Sequence, residues 1–343
     1  MDYRSVIQDN KDNHSDVPWW PNFAYHYTDI SNAVNILKSG KLYSRTNAKK
    51  LNLMNNDNAS RKVIDITNTA IIDSVRLYFR PLTPTQYYNE GFKHSSIRYS
   101  GDEYANVPVP VFFVFDLDKV LSLPGVKFSE GSQAGAGAPL KSGVEEFSKL
   151  DFDKIYSDGY SENYEEVNKY KHSEIVCLDS LEISACLNSI VCRNIVEKTS
   201  LLNMLKNADR MAYNKYKNLV KICKVDMFEK NGLFVTAVNM FDNVLTFEFC
   251  DTYDKIKYKN KQMQKNDLNE LTPISSKLEL DWLNHRKELY YRKAMLFDLD
   301  YDDNNLTIKI PKVQSATVLH IRLYFEDHLM CDIERSINDS QIV

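Results

Sequence analysis

The sequence predicts a mixed α/β fold whose C-terminal part is rich in β-strands. Strand-like segments alternate with helical patterns over roughly the first 200 residues. Residues 109–117 form a continuous apolar run, which is typical of a strand buried in the middle of a sheet. After about residue 226, short segments with β character predominate, so a β-rich part is expected to follow the α/β part.

The first elements are predicted from local signals. Residues 1–21 are polar and indicate a loose lead-in. A short strand is expected at residues 23–27. A helix should follow it, because Asp29 or Ser31 can cap its start and Gly40 suits its end.

The middle of the N-terminal half alternates strands with polar loops. Residues 47–70 are rich in Asn and Asp and indicate a loop with a short helical part. The predicted strands are 75–79, ended by Pro81 and Pro84, then 109–117, 173–178, and one strand or strand pair at 183–193. Glycine-rich residues 129–143 and polar residues 156–172 are expected to be loops.

The composition changes near residue 198. Thr199 or Ser200 could cap a helix that runs to about residue 224. Strands are expected at 233–240, 244–249, 306–310 and 317–325, interrupted by a helical stretch at 277–296. The predicted organisation is an N-terminal segment (1–21), a catalytic domain (22–198), a connecting basic helix (199–225) and a β-rich accessory domain (226–343).

Composition limits the possible classes of protein. With 343 residues and 43% apolar residues the chain can bury a sizeable core, and a net charge of −4 argues against a generally basic nucleic-acid coat. The six cysteines form no C-x-x-C pair and no zinc-type spacing with histidine, so we expect reduced thiols and no metal. We also expect no signal peptide, no membrane span and a cytoplasmic location.

Three short segments stand out as candidates for chemistry. The first is Tyr25-His26-Tyr27-Thr28-Asp29, at a strand-to-helix junction. The second is Arg61 together with the strand that contains Tyr78 and Phe79 before Pro81. The third is His172-Ser173-Glu174, where a loop enters a strand. Each segment alone has an ordinary structural explanation, such as a hydrogen-bonded histidine, a core Tyr-Phe pair or a solvated glutamate.

Taken in order, the three segments resemble the DarT family of DNA ADP-ribosyltransferases, from about residue 23 to residue 193. The resemblance implies a transferase core of two small packed sheets with helices, which consumes NAD. It matches His26 to the histidine that opens the NAD site, Glu174 to the catalytic glutamate, and Arg61 to an arginine upstream of the Tyr-Phe strand. Many members carry a second arginine followed by Ser/Thr-Pro-Met just after the Tyr-Phe strand, where this sequence has Arg80-Pro81-Leu82-Thr83-Pro84-Thr85.

The resemblance implies a role for each matched residue. Loss of nicotinamide leaves a cation-like ribose, which the carboxylate of Glu174 would orient and stabilise. His26 would bind the ribose, with Tyr27 and Thr28 beside it, and Tyr78 could pack on the nicotinamide. Arg61 would polarise or help to deprotonate the acceptor nitrogen of a base. Charge stabilisation is the easier of these two tasks, because an arginine stays protonated. The absence of a G-x-G-x-x-G motif fits an enzyme that consumes NAD rather than one that carries hydride.

Two basic stretches could contact a single-stranded nucleic acid, because lysines suit the backbone and tyrosines suit the bases. Residues 206–224 contain Lys215, Lys217 and Lys221, and residues 253–265 contain Lys257 and Lys259 among tyrosines. The alternative is a solvated helix face for the first stretch and a lysine-protected edge strand for the second.

Several functions stay open at this point. DNA thymidine is the acceptor that the resemblance implies, and RNA is the main alternative. A protein-modifying transferase and an inactive NAD-binding module are the others. An enzyme that modifies nucleic acid would harm its own cell, so the family's role implies a toxin restrained by an antitoxin, with phage defence as one expected purpose.

Overall fold

The computed structural model describes residues 1–57, 64–65, 67–98, 106–134, 137–158, 164–264 and 272–337. The strands are β1 Phe23–Asp29, β2 Lys41–Tyr43, β3 Ser74–Tyr78, β4 Pro110–Asp116, β5 Lys127–Ser129, β6 Glu174–Leu178, β7 Ser180–Glu182, β8 Leu187–Cys192, β9 Val220–Ile222, β10 Val235–Phe241, β11 Val244–Phe249, β12 Ile274–Leu283, β13 Leu289–Leu299, β14 Asn305–Lys309, β15 Val318–Phe325 and β16 His328–Ser336.

The α-helices of the described residues are mostly short. They are α1 Tyr3–Asn13, α2 Ile30–Ser39, α3 Arg45–Lys50, α4 Thr69–Ile72, α5 Pro84–Asn89, α6 Leu117–Leu121, α7 Val144–Phe147, α8 Phe152–Ile155, α9 Tyr164–Tyr170, α10 Ile183–Cys186, α11 Ile195–Ala208, α12 Arg210–Tyr216 and α13 Tyr253–Gln264. Within the described ranges, no helix has the length and apolar character needed to cross a membrane.

The N-terminal part is built on a seven-stranded sheet with the order β5-β6-β3-β1-β4-β8-β9. Its paired strands are antiparallel except for β8 and β9, which are parallel. β2 and β7 form a separate two-stranded sheet. The predicted α/β class and the β-rich C-terminal part are thus confirmed. The strands are grouped as one large and one very small sheet rather than as two small sheets.

Both faces of the large sheet are covered, which explains the apolar run of β4. Phe113 and Phe115 point into the main N-terminal core, while Phe112 and Val114 pack on the other face against a cluster that includes Phe228. A strand buried on both faces loses the polar alternation of a half-exposed strand. The run that predicted a central strand therefore reflects its real position.

The start of the chain is more ordered than the sequence suggested. Residues 1–21 were expected to be loose, but α1 begins with a capping box between Asp2 and Ser5. Val6 and Ile7 of α1 are buried in the N-terminal core. Helix α2 matches its prediction, with Asp29 as the N-cap and Gly40 in the left-handed conformation at its C-terminal end.

Two further segments differ from the prediction because short helices carry few local signals. Residues 164–170, expected to be loop, form α9. The predicted strand or strand pair at 183–193 begins with the single-turn helix α10 before β8.

The predicted basic helix after residue 198 is two helices and a strand. Asn194, rather than Thr199 or Ser200, caps α11, and Asp209 ends α11 and caps α12. β9 then pairs with β8 and completes the large sheet. The proposed domain limits stay predictions, although this strand ties residues 220–222 to the N-terminal sheet.

The C-terminal part contains two antiparallel sheets, β10-β11-β14 and β13-β12-β15-β16. The helix predicted at 277–296 is wrong, since these residues form most of β12 and β13. The alternative of an edge strand at 253–265 is also wrong, because Tyr253–Gln264 is the helix α13. Trp282, Leu278 and Leu280 of β12 are buried in the apolar core of this part.

The two parts meet through a close backbone approach. Phe92 and Leu233 exchange backbone hydrogen bonds. A Cβ atom on Gly91 would lie 2.1 Å from the carbonyl oxygen of Asn231, and one on Gly232 would lie 2.6 Å from the carbonyl carbon of Gly91. Both glycines have positive φ, so glycine is required here for space and for conformation.

Candidate active site

A cavity of about 230 Å³ lies in the N-terminal part, among the elements that carry the predicted site residues. It is lined by His26, Tyr27 and Thr28 of β1 and by Arg76 of β3. The remaining walls come from α2, β2, α3, residues 53–57 and the segment that leads into β3. The first predicted segment, and the strand of the second, thus contribute to one concave site.

Asn32 of α2 fixes one wall of this cavity. Its Oδ1 accepts hydrogen bonds from the backbone N–H groups of Asn55 and Asn56, at 2.8 and 3.1 Å. Its Nδ2 donates to the carbonyl oxygen of Asn56 at 2.7 Å and lies 3.4 Å from Thr28 Oγ1. The asparagine-rich segment after α3 is therefore tied to the strand-to-helix junction that carries His26.

His26 is held in a defined orientation. Its Nδ1 lies 3.3 Å from the backbone carbonyl oxygen of Arg76. Because a carbonyl oxygen can only accept, Nδ1 carries the proton and Nε2 is left as an acceptor. Burial lowers the pKa of His26 to about 4, so the ring is neutral at pH 7. It can accept a hydrogen bond from a hydroxyl group.

Glu174 is completely buried at the first position of β6. Arg76 donates two parallel hydrogen bonds to this carboxylate, from Nε to Oε2 at 2.5 Å and from Nη2 to Oε1 at 2.6 Å. The backbone N–H of Gln133 donates to Oε1 at 3.2 Å. Strand β3 lies between β6 and β1, which brings the carboxylate close to the strand of His26.

Arg76 contacts Glu174 and also lines the cavity. The side chain of Arg76 is 29% exposed and lines the cavity, whereas neither Glu174 nor Tyr78 is among the described lining residues. Tyr78 is the direct cross-strand neighbour of Glu174. Burial and the nearby Glu174 charge raise the pKa of Tyr78, so its hydroxyl stays protonated. The expectation that Glu174 and Tyr78 line the cleft directly stays a prediction.

The cavity wall carries three cationic side chains. Lys41, Arg45 and Arg76 line it, and Asp57 is the one carboxylate among its described lining residues. Arg45 pairs with Asp57 and Lys41 with Glu182. Burial and the neighbouring Arg76 lower the pKa of Arg45 to about 10. An anionic ligand beside these two guanidinium groups would raise it again.

The catalytic arginine expected at Arg61 lies outside the described residues. Its position relative to Glu174 therefore stays a prediction. Among the described residues, no group of three or more His, Cys, Asp or Glu side chains could hold a metal ion.

The lysines of the first basic stretch lie on different elements. Lys215 and Lys217 are at the end of α12, over the rings of Tyr216 and Tyr213 at 4.9 and 5.4 Å. Lys221 is exposed on β9. The stretch is therefore not one continuous basic helix face, but Lys215 and Lys221 are accessible cations.

The second basic stretch is partly neutralised. Lys257 pairs with Asp254 at 2.9 Å and Lys259 with Asp302 at 3.5 Å. Tyr258 is fully buried and cannot offer a stacking face. Tyr253 is exposed, and the Nζ atom of Lys257 lies 5.0 Å from its ring centroid.

An exposed aromatic group links α13 to the catalytic part. Lys257 Nζ also lies 5.3 Å from the ring centroid of Tyr87 on α5, and Tyr87 contacts Tyr88 edge to face. Thr85, on the same short helix, is a hydrogen-bond partner of Tyr78. Tyr87 and Tyr88 are therefore two and three positions along the chain from Thr85, which contacts the direct neighbour of Glu174.

Sequence reasoning missed three residues of this site. Arg76 is the main one, and its signal was a lone charge inside the apolar strand Val75–Phe79. Gln133 and Arg45 had no local signal, because the fold brings the loop of Gln133 to Glu174 and helix α3 with Arg45 to the cavity.

Comparisons with known proteins agree with the resemblance. A family model described as "ssDNA thymidine ADP-ribosyltransferase, DarT" matches residues 25–228. No curated protein sequence matches the chain. The structure is similar to that of Thermus sp. 2.9 DarT in complex with ADP-ribosylated ssDNA, with 20% identity over 61% of this chain and 96% of that chain and a TM-score of 0.49.

Two other solved structures are similar over a comparable part of the chain. Thermus sp. 2.9 DarT in complex with NAD+ has 20% identity over 61% of this chain and 98% of that chain, with a TM-score of 0.46. Thermosipho africanus DarTG in complex with ADP-ribose has 11% identity over 65% of this chain and 54% of that chain, with a TM-score of 0.44.

Proposed function

Because the chain belongs to the DarT family of ssDNA thymidine ADP-ribosyltransferases, we propose that it transfers ADP-ribose from NAD to thymidine in single-stranded DNA. The observation that carries the proposal is the placement of Glu174. This carboxylate lies next to Tyr78 and is bound by Arg76, which lines the cavity that contains His26.

The cavity suits the donor. The cationic side chains of Lys41, Arg45 and Arg76 in its wall can donate hydrogen bonds to the pyrophosphate of NAD, and His26 offers a neutral acceptor to a ribose hydroxyl. Tyr27 and Thr28 would line the donor site beside His26. Tyr78 would pack near the nicotinamide.

In the reaction, the bond between ribose C1′ and the nicotinamide nitrogen breaks, and neutral nicotinamide leaves. A new bond forms between C1′ and the acceptor nitrogen of the base, whose proton is released to water. Glu174 stabilises the positive charge that develops on the ribose, and His26 fixes the pose of the donor. Arg61 stabilises the negative charge that develops on the base as its proton leaves.

The nucleic acid must present an unstacked base to this site. The accessible cations Lys215 and Lys221, and the exposed tyrosines near Lys257, support contact with a single strand. Lys217, near Lys215, and Lys259 on α13 would add to this contact, with their charges partly engaged by Tyr213 and Asp302.

An enzyme of this activity would damage the DNA of its own cell. We therefore propose that it is a cytoplasmic toxin held in check by an antitoxin protein, with a role in defence against phage. Coexpression with proteins encoded by neighbouring genes, scored by cell growth, tests the proposed antitoxin independently of the chemistry. Toxicity that persists with an inactive Glu174→Gln variant would contradict it.

Labelled NAD incubated with single-stranded DNA, RNA and protein tests the acceptor. The proposal expects label on single-stranded DNA, and on oligonucleotides only when they contain thymidine. Label on RNA or protein instead would assign the same chemistry to another acceptor, and no transfer at all would indicate an inactive NAD-binding module.

A further inference from the structure

The contact between Arg76 and Glu174 has the geometry of a rigid support. Two guanidinium nitrogens donate to two carboxylate oxygens, at 2.5 and 2.6 Å. This planar, bidentate arrangement fixes the plane of the carboxylate as well as its position, which a single lysine ammonium would not do.

Burial makes this support necessary. Glu174 has no exposed surface, and its other hydrogen-bond donor within the described ranges is the neutral backbone N–H of Gln133. A carboxylate taken out of water strongly favours its protonated form unless a cation compensates for the missing solvation. A protonated Glu174 could not oppose the positive charge of the departing ribosyl group.

The other polar groups around the pair do not supply that charge. The pKa of Tyr78 on β3 is raised by burial and by Glu174, so it is neutral. His172, just before β6, has its pKa lowered to about 4 by burial and by Arg76, so it is also neutral at pH 7. Arg45 of α3 is engaged by Asp57. Within the described part of the chain, Arg76 is the cation that contacts Glu174.

We propose that Arg76 is a positioning residue for the transfer reaction, which supplies the positive charge beside the buried carboxylate of Glu174 and directs its two oxygens. The inference rests on the proposed function, in which Glu174 stabilises the ribosyl cation. Arg76 also lines the cavity. Its exposed surface would therefore face the bound donor, while its guanidinium nitrogens bind the carboxylate.

Two substitutions separate charge from geometry. Arg76→Met removes both, so kcat at pH 7 should fall at least about tenfold, and the acid limb of the kcat profile should move to higher pH. The direction follows from the removal of the cation, which favours protonation of the buried carboxyl. Arg76→Lys keeps the positive charge but cannot form the two parallel hydrogen bonds. The acid limb of its kcat profile should therefore stay near that of the wild type, while kcat falls.

Arg292→Met is the matched control. Arg292 forms the same two-pronged contact with Asp281, at 2.5 and 2.9 Å, on the C-terminal four-stranded sheet. Its removal should change neither the kcat profile nor NAD affinity measured by calorimetry. A shift seen equally in this control would overturn the inference, because it would report a general decrease in stability.

The measurement is ADP-ribosyl transfer to a thymidine-containing single strand between pH 5 and pH 9, with thermal melting of each variant. An Arg76→Met enzyme with a wild-type profile would overturn the inference. If that variant does not fold, Arg76→Lys decides, and wild-type kcat in Arg76→Lys overturns the positioning role. A wild-type enzyme that transfers nothing would instead contradict the proposed function.

Discussion

At the scale of single residues, the proposed chemistry depends most on Glu174. Glu174→Gln keeps the size of the side chain and part of its hydrogen bonding but removes the negative charge. A preorganised charge of this kind is worth on the order of 3 kcal/mol, so transfer should fall about a hundredfold or more. NAD affinity, measured in parallel, should change little, and thermal melting should show that the variant is still folded, at a lower melting temperature because Arg76 loses its carboxylate partner. Near-normal transfer by this variant would remove Glu174 from the chemistry.

Two partly buried histidines predict a pH dependence of stability. Burial lowers the pKa of both His26 and His172 from 6.5 to about 4. Between these values the unfolded chain binds protons that the folded chain does not. The stabilising effect is therefore complete above about pH 6.5 and is lost as the pH falls towards 4.

His172→Gln isolates this effect, because other groups act in the opposite direction. The pKa of Glu229, for example, is raised to about 7 by burial and by Glu90. Between pH 7 and pH 5 the wild type should lose at least about 2 °C more of melting temperature than the variant. Equal losses in both proteins would mean that His172 is not held neutral in the folded state.

At the scale of elements, local signals predicted β1, α2 and β4 well. The caps Asp29 and Gly40 and the apolar run of β4 act over a few residues, so they can be recognised directly in the sequence. Residues 277–296 were predicted wrongly because their Lys, Glu and Leu content favours helix. The backbone pairing of β12 with β13 and β15 outweighs that propensity. Such pairing joins distant residues, so it cannot be recognised from a local sequence pattern.

The same limit applies to the site. His26 and Glu174 were proposed from motif order, whereas Arg76 became visible only when β3 was paired with β6. Its partner lies 98 positions away in the chain. The sequence shows that Arg76 is an unusual charged residue in a strand. Which carboxylate it pairs with depends on the register of the sheet.

The lysines near the end of α12 and on β9 should act on substrate binding. A double variant, Lys215→Ala with Lys221→Ala, should weaken single-stranded DNA binding. The slope of log K against log salt should fall by about 0.7 for each phosphate that is no longer neutralised. NAD affinity should stay close to that of the wild type. Lys149→Ala is the control, because Lys149 is engaged by Glu145 and Glu146 on the surface. An unchanged slope would mean that these lysines are solvated surface residues that do not contact the DNA.

At the scale of the whole molecule, the C-terminal part is joined to the catalytic part by buried charges. Lys93 forms a buried ion pair with Asp254 of α13, and the guanidinium group of Arg193 lies 3.9 Å from the ring centroid of Phe234. Such pairs are costly to break once buried. The family model ends at residue 228, yet these contacts bring α13 and its exposed Tyr253 next to α5. The β-rich part thus packs against the transferase part beside these exposed tyrosines.

The central claim is that this molecule attaches ADP-ribose to thymidine in DNA. Mass spectrometry of nucleosides from cells that briefly express the protein tests it most directly, with Glu174→Gln as the matched control. We expect ADP-ribosylated thymidine from the DNA of cells with the wild-type protein and none from cells with the variant. Unmodified DNA together with ADP-ribosylated RNA nucleosides, or no modified nucleoside at all, would contradict it.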